Sequence, residues 1–326
     1  MFKRVAAWRK RSAHTNDPCW LPQPCLHNRA RPPGMIASPQ PVILPMANSA
    51  ITMLALDLDG TLAVADHRIL PRTRDALAEL HGEGVEVVIA TGRRYRTTTW
   101  VMENLGFDVF AICNGGALVK HPNRSTLHAD EFGRDRLRQI VTLARESGFT
   151  ILVQQDSPGL RGPDFLVDNA LAWNPHVERY VATNRQWATS ADLMDPPRHC
   201  LLAATFDDEA RVRAFAGRLH DSFPAELNTV IVPDYQKRGW YCEITKVSVT
   251  KWTGLLQVAG GLGHGPHQIC AVGDQMNDMS MVSAATHGVA MGNAVPELKA
   301  AARVVCGHND ADGLLDVVRY IRTHNG

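Results

Sequence analysis

The chain has 326 residues, 45% of them hydrophobic, enough for one large core or two smaller ones. Lys and Arg number 34 against 33 Asp and Glu, so no long-range field favours nucleic acid or a membrane surface. No apolar run approaches the ~20 residues of a membrane span, and the scattered cysteines, with no Cys-x-x-Cys pair, point to free thiols in the cytoplasm.

Residues 1–50 are rich in Pro and Arg, carry Asp17 as their only acid, and show neither periodicity nor the apolar stretch of a secretory signal. They read as a disordered extension or as the result of a translation start placed too early. From Ile51 the pattern becomes regular. "ITMLALDLD" is a buried strand, and "PRTRDALAELHGEG" is a helix stopped by Gly82 or Gly84. "VEVVIATGR" is a second strand, "TTTWVMENLG" a helix and "DVFAICNGG" a third strand. Strands that read as continuous apolar runs, alternating with helices, predict a doubly wound parallel α/β sheet.

From about Leu118 to Trp240 the elements are mixed. "ALVKHPNRSTLHA" resembles a hairpin and "RDRLRQIVTLARESG" an amphipathic helix. "TILVQQD", "RHCLLAATFDD" and "ELNTVIVPD" read as strands, while 159–197 carries little pattern. The doubly wound pattern then returns through the helix "VTKWTGLLQVAGGLG", the strand "HQICAVGD" and a closing helix "ADGLLDVVRYIRTH", with Asn309 or Asp310 as its cap. The expected organisation is an extension (1–50), a core built from 51–118 and 241–326, and an α+β domain inserted at 119–240.

In an open parallel sheet, sites form where strands end. Three apolar strands here end in polar clusters: Asp57-Leu-Asp59-Gly-Thr61, Thr91-Gly92-Arg93 and Gly273-Asp274-Gln-Met-Asn277-Asp278. The strand "DVFAIC" also ends in polar Asn114, and Lys251 opens the helix that leads into "ICAVGD". Asp57, Asp59, Asp274 and Asp278 together carry too much negative charge for a half-buried site unless a cation joins them. All-oxygen ligands favour Mg²⁺. Lys251, the Thr91 hydroxyl and the backbone N–H groups of the Gly60 and Gly92 turns supply donors for an anion. That inventory suggests a phosphoryl group, with one carboxylate attacking phosphorus and another moving the proton.

"DLDGTL", "ATGR", "EITKVSVTK" and "GDQMNDMSM" resemble the four ordered motifs of the haloacid dehalogenase (HAD) superfamily of phosphatases. "AICNGG", "GVAMGNAVPELKAAA" and "NDADG" narrow the resemblance to the Cof type, which carries a large α/β cap between the second and third motifs. The resemblance spans about 51–326. It implies Asp57 as nucleophile and Mg²⁺ ligand, and Asp59 as general acid/base with its backbone carbonyl on the metal. Thr91 and Lys251 would hold phosphoryl oxygens, Asp274 would be a further ligand, and Asp278 would act through water. Asn277 would orient the Lys251 region. Ser248 and Trp252 stand where the family often has Gly, so Lys246 competes with Lys251 for the motif lysine; distance from Glu243 favours Lys251. Arg93 and Asn114 are candidate substrate contacts.

The function so implied is Mg²⁺-dependent hydrolysis of a small phosphomonoester, a sugar phosphate or similar metabolite, through an aspartyl-phosphate. A phosphomutase of the same fold, or a non-catalytic phosphometabolite-binding protein, are the alternatives.

Overall fold

The fold is seen in a computed structural model, which describes residues 50–156, 161–233 and 238–326. The extension at 1–50 lies outside the described residues, apart from its last residue. In chain order the strands are β1 (Met53–Leu56), β2 (Ala63–Val64), β3 (Arg68–Ile69), β4 (Glu86–Ala90), β5 (Phe110–Cys113), β6 (Leu118–Lys120) and β7 (Thr126–Ala129). There follow β8 (Leu152–Gln154), β9 (Phe165–Asp168), β10 (Ala188–Ala191), β11 (Leu202–Asp207), β12 (Leu227–Pro233) and β13 (Trp240–Lys246). The last are β14 (Ile269–Gly273), β15 (His287–Ala290) and β16 (Val304–Val305).

The core is an eight-stranded sheet in the order β16-β15-β14-β1-β4-β5-β6-β7. Pairing is parallel from β16 through to β5, and β6 and β7 add an antiparallel edge. Every residue of β1 is buried, as expected of a strand covered on both faces. The helices Pro71–Gly82, Lys251–Leu262 and Leu314–Asn325 bury apolar residues such as Leu77, Leu80, Leu255, Val258, Val317 and Ile321 in one cluster with the central strands. Pro71 opens the first of these helices at a position where its missing N–H costs no bond. Chain order runs from β1 outward through β4 to β5, then returns on the other side of β1 with β14. The β1–β14 boundary is therefore the topological switch point, where an open α/β sheet leaves a crevice beyond its strand ends. The expected doubly wound α/β core with an inserted α+β domain is what folds.

The second sheet has six strands in the order β10-β9-β8-β11-β13-β12, antiparallel except for the β9–β10 pair. The helices Arg134–Glu146 and Glu209–Ser222 pack on one face, through Leu137, Ile140, Phe215 and Leu219 against Val153, Cys242 and Ile244. Sheet membership moves both expected joins. The hairpin Leu118–Ala129 extends the core sheet instead of opening the insert, and Trp240–Lys246 is a central strand of the second sheet instead of core. Strand pairing therefore favours joins near 130 and 247 over those at 118/119 and 240/241. The weakly patterned stretch contains β9, the helix Pro175–Thr183 and β10. Asn174 caps that helix by accepting hydrogen bonds from the His176 and Val177 N–H groups. The final helix begins after Gly313 with no side-chain cap. Asn309, expected as a cap, instead donates its amide to the Ala63 carbonyl. Among the described residues no helix is long and apolar enough to cross a membrane.

Candidate active site

Asp57 is the first residue past β1, and Asp274 the first past β14, on either side of the switch point. Between Asp57 and β2 the chain turns tightly, with Leu62 N–H donating to the Asp57 carbonyl at 3.2 Å. Gly60 makes that turn at φ +84°, and a Cβ there would lie 2.4 Å from Asp274 Oδ2. Glycine is required on both counts, conformation and space. The loop is fastened from across the site by Asn293, whose Nδ2 donates to the Gly60 carbonyl at 2.7 Å.

Lys251 starts its helix behind Thr250, which caps it by accepting from the Thr253 N–H at 3.0 Å. The ammonium is almost fully buried and donates to Asp57 Oδ1 at 2.5 Å and to Asp278 Oδ1 at 2.6 Å. Lys246 instead pairs with Asp130, which leaves Lys251 as the lysine of the site. The other oxygen of Asp278 accepts the N–H groups of Asp274 and Gln275, both at 2.9 Å. Asp274 accepts from Thr61 Oγ1 at 3.3 Å and from Gln275 Nε2 at 3.2 Å.

Asp57, Asp274 and Asp278 thus form one buried cluster, each offering an oxygen within 4.8 Å of the others. Burial, then the charge of Asp278, hold the Asp57 carboxyl well above the usual range, against the pull of Lys251. The same two causes push Asp274 up to about 6. Burial works to lower Lys251, but the charges of Asp278 and Asp57 outweigh it and hold the ammonium above the ordinary lysine range. One cation among three buried carboxylates leaves negative charge in excess. An all-oxygen donor set carrying that excess fits a hard divalent ion such as Mg²⁺.

Thr91 follows β4 and is buried; its Oγ1 accepts the Arg93 N–H at 3.1 Å, which leaves the hydroxyl proton to donate elsewhere. Among the described residues the Gly92 N–H has no acceptor. The Asn277 amide stands beside Gly92, its nitrogen 3.9 Å from where a Cβ would be, and its side-chain oxygen is buried without a partner. The two bonds that hold the Lys251 ammonium come from Asp57 and Asp278.

Asp59 is the exposed member of the pair. Arg93 grips it with two bonds, Nε to Oδ2 at 2.6 Å and Nη2 to Oδ1 at 2.5 Å. The same Arg93 nitrogen lies 2.9 Å from His67 Nδ1. Asn114, buried after β5, donates to Gln154 of the second sheet at 2.6 Å, and Gln154 in turn donates to the Tyr241 hydroxyl at 2.9 Å. Arg93 and Asn114 therefore both have protein partners where substrate contacts were expected.

Residues 54–318 match the family described as haloacid dehalogenase-like hydrolase. The chain belongs to that family. It is a HAD-type phosphomonoester hydrolase of the Cof type, as the ordered motifs implied. Among curated relatives it is 28% identical to the pyridoxal phosphate phosphatase YbhA of Escherichia coli, over 83% of this chain and 98% of that one. It is 27% identical to the HMP-PP phosphatase of an Enterobacter strain, over 76% and 86%. Among solved structures, the HAD phosphatase BT1666 of Bacteroides thetaiotaomicron superposes with a TM-score of 0.70 at 24% identity, covering 87% of this chain and 99% of that one.

Two features of this HAD hydrolase escape a reading of motifs. One is the Arg93 clasp on Asp59. The other is the placement of Glu243 in the middle of β13, its Oε1 3.8 Å from the point where a Gly92 Cβ would be. A lone acid inside "WYCEITK" was the available signal.

Proposed function

We propose that the chain is a Mg²⁺-dependent phosphatase that hydrolyses a small phosphomonoester, a sugar phosphate or similar metabolite, through an aspartyl-phosphate on Asp57. The observation that carries this reading is the burial of Asp57 against Lys251 at the switch point, beside Asp274 and Asp278. Lys251 occupies Oδ1 of Asp57 and leaves Oδ2 to attack phosphorus. The ester oxygen departs with a proton from Asp59. Asp59 then takes a proton from water, and the resulting hydroxide attacks phosphorus, freeing Asp57 and inorganic phosphate. Asp59 is bonded to Arg93, so that pair must part for the proton to move. Thr91 and the Gly92 N–H would receive phosphoryl oxygens, with Lys251 and Asn277 completing the cradle. Asp57, Asp274 and the Asp59 carbonyl would hold Mg²⁺, with Asp278 acting through water. When bound, the ion supplies positive charge against the carboxylates and the phosphoryl oxygens.

The relatives named for pyridoxal phosphate and HMP-PP support a small phosphorylated metabolite as substrate. Free, mostly buried thiols at Cys113, Cys200, Cys242, Cys270 and Cys306 support a cytoplasmic setting. The test is a panel of phosphomonoesters with Mg²⁺, including sugar phosphates, pyridoxal phosphate and phosphoglycolate. Stoichiometric phosphate release is expected, abolished in Asp57→Asn. Transfer of the phosphoryl group to a second hydroxyl, or tight binding without turnover, would overturn the hydrolase reading.

A further inference from the structure

Side chains alternate across β13. Cys242 and Ile244 enter the apolar cluster beneath the two long helices of the insert. Tyr241 and Glu243 occupy the opposite face, the one that meets the core. Directly across from Glu243 stand Ala204 and Val230, neither of which has a side-chain donor. Among the described residues no side chain hydrogen-bonds or ion-pairs with the Glu243 carboxylate. Burial, opposed by the charge of Lys251, lifts its carboxyl from 4.5 to about 7. Lys251 gives its bonds to Asp57 and Asp278.

Glu243 is half-buried, so its unpaired oxygens are left to water or to a ligand that donates to them. The carboxylate overhangs the Gly92 turn from the inserted sheet, beside the groups proposed above to receive phosphoryl oxygens. Among the described residues, the two arginines that follow the Gly92 turn already hold protein partners. Arg94 is committed to Asp164 at 3.1 Å and to Asn184 at 2.6 Å, and Arg93 to Asp59. Aromatic rings lie on the same side: Tyr241, two residues earlier in the strand, forms a run with Phe206 and Tyr180, ring centroids 4.6 and 4.4 Å apart.

We propose that Glu243 selects the leaving group, favouring phosphomonoesters with a hydroxyl or protonated nitrogen near the ester and rejecting those with a carboxylate or second phosphate there. This deepens the phosphatase reading and rests on it. A hydrogen-bond donor pairs the carboxylate, whereas an anion faces like charge.

The test compares wild type with Glu243→Gln on two sets of substrates under Mg²⁺. One set bears hydroxyls (sugar phosphates, glycerol phosphate); the other bears carboxylates (phosphoglycolate, phosphoglycerate). Wild type should prefer the first set. In Glu243→Gln the ratio of kcat/KM between the sets should fall by about tenfold or more, chiefly through KM. Glu243→Asp should keep the wild-type order of preference. A preference of wild type for the carboxylate set, or equal scaling of both sets in the Gln variant, overturns the inference and leaves the phosphatase reading standing. Absence of turnover by wild type on every ester overturns that reading and this inference with it.

Discussion

At the scale of single residues the site is a problem in charge. Among the described residues, Lys251 is the only cation bonded to the buried carboxylates of Asp57 and Asp278, and both of its bonds are short. Lys251→Met would leave these acids uncompensated. It should destabilise the fold by about 3–5 kcal/mol, read from urea unfolding without metal. It should also lower kcat by ~10²–10³ where the variant remains folded, since one preorganised contact to the phosphoryl group is lost. Glu243 makes a second prediction. Its folded pKa lies above the unfolded one, so the folded state holds a proton that the unfolded chain loses between about 4.5 and 7. Stability from this group is present below that window and lost as pH rises through it. Glu243→Gln should therefore melt at a higher temperature than wild type at pH 8, by the equivalent of roughly 1–2 kcal/mol after screening. The gap should close near pH 4. The two kinds of residue differ in legibility. Asp57, Thr91 and Asp274 stand just beyond apolar runs, where a polar cluster is conspicuous in the sequence. Glu243 sits mid-strand, and its position over Gly92, 151 positions away in the chain, follows only from how two sheets face each other.

At the scale of elements, the turns after β4 and β5 do more than end strands. Arg94 and Arg96, just past the Thr91-Gly92 turn, both bond Asp164 beside β9 of the second sheet, at 3.1 and 2.7 Å. Lys120 of β6 reaches Asp156 beyond β8 at 2.6 Å. These largely buried pairs join the two sheets. Asp164→Ala removes the carboxylate that two largely buried guanidinium groups share, which should cost about 3–5 kcal/mol in a urea titration. Asp164→Asn should recover part of that loss by keeping one acceptor. The parallel core strands were legible because each is a continuous apolar run with a polar end. The hairpin Leu118–Ala129 was legible as a hairpin but not as part of the core, because local pattern does not say which sheet an edge strand joins. The helix Pro175–Thr183 carried a signature in Asn174-Pro175, an N-cap followed by proline, inside a stretch that otherwise lacks periodicity.

For the whole molecule the carboxylate cluster couples folding to pH and to metal. Asp274 rises from 3.8 to about 6 in the fold, and Asp57 also rises. Between those values the folded chain holds a proton that the unfolded chain has released, so metal-free stability falls as pH rises through that window. With chelator present, Asp274→Asn should be more stable than wild type at pH 8, by up to about 3 kcal/mol, and indistinguishable near pH 4. Saturating Mg²⁺ should reverse the order at pH 8. A ligand at a thousandfold its Kd adds about 4.1 kcal/mol to a chain that binds it only when folded, more than the carboxylate costs. Thermal melts across pH, with and without Mg²⁺, check both halves. The two-part architecture was legible from the change and return of pattern along the chain. The position of the joins was not, because it depends on long-range pairing of β13 with β11 and β12.

Asp130 carries a consequence for how such a protein changes over time. It lies on the segment leaving the core sheet and accepts hydrogen bonds from Lys246 and Ser248 on the segment that returns. Its own N–H is donated to Ala117 of the core at 2.8 Å. The chain therefore departs and re-enters through a single doorway. Everything between could be lengthened, traded for an unrelated fold or shortened to a loop without re-threading the parallel sheet. A transplant that preserved the acid on one side of the doorway and its two donors on the other would leave Lys251, only three residues past Ser248, in register with Asp57. New selectivity could then be acquired by exchanging a module, while the reacting groups stay where they are.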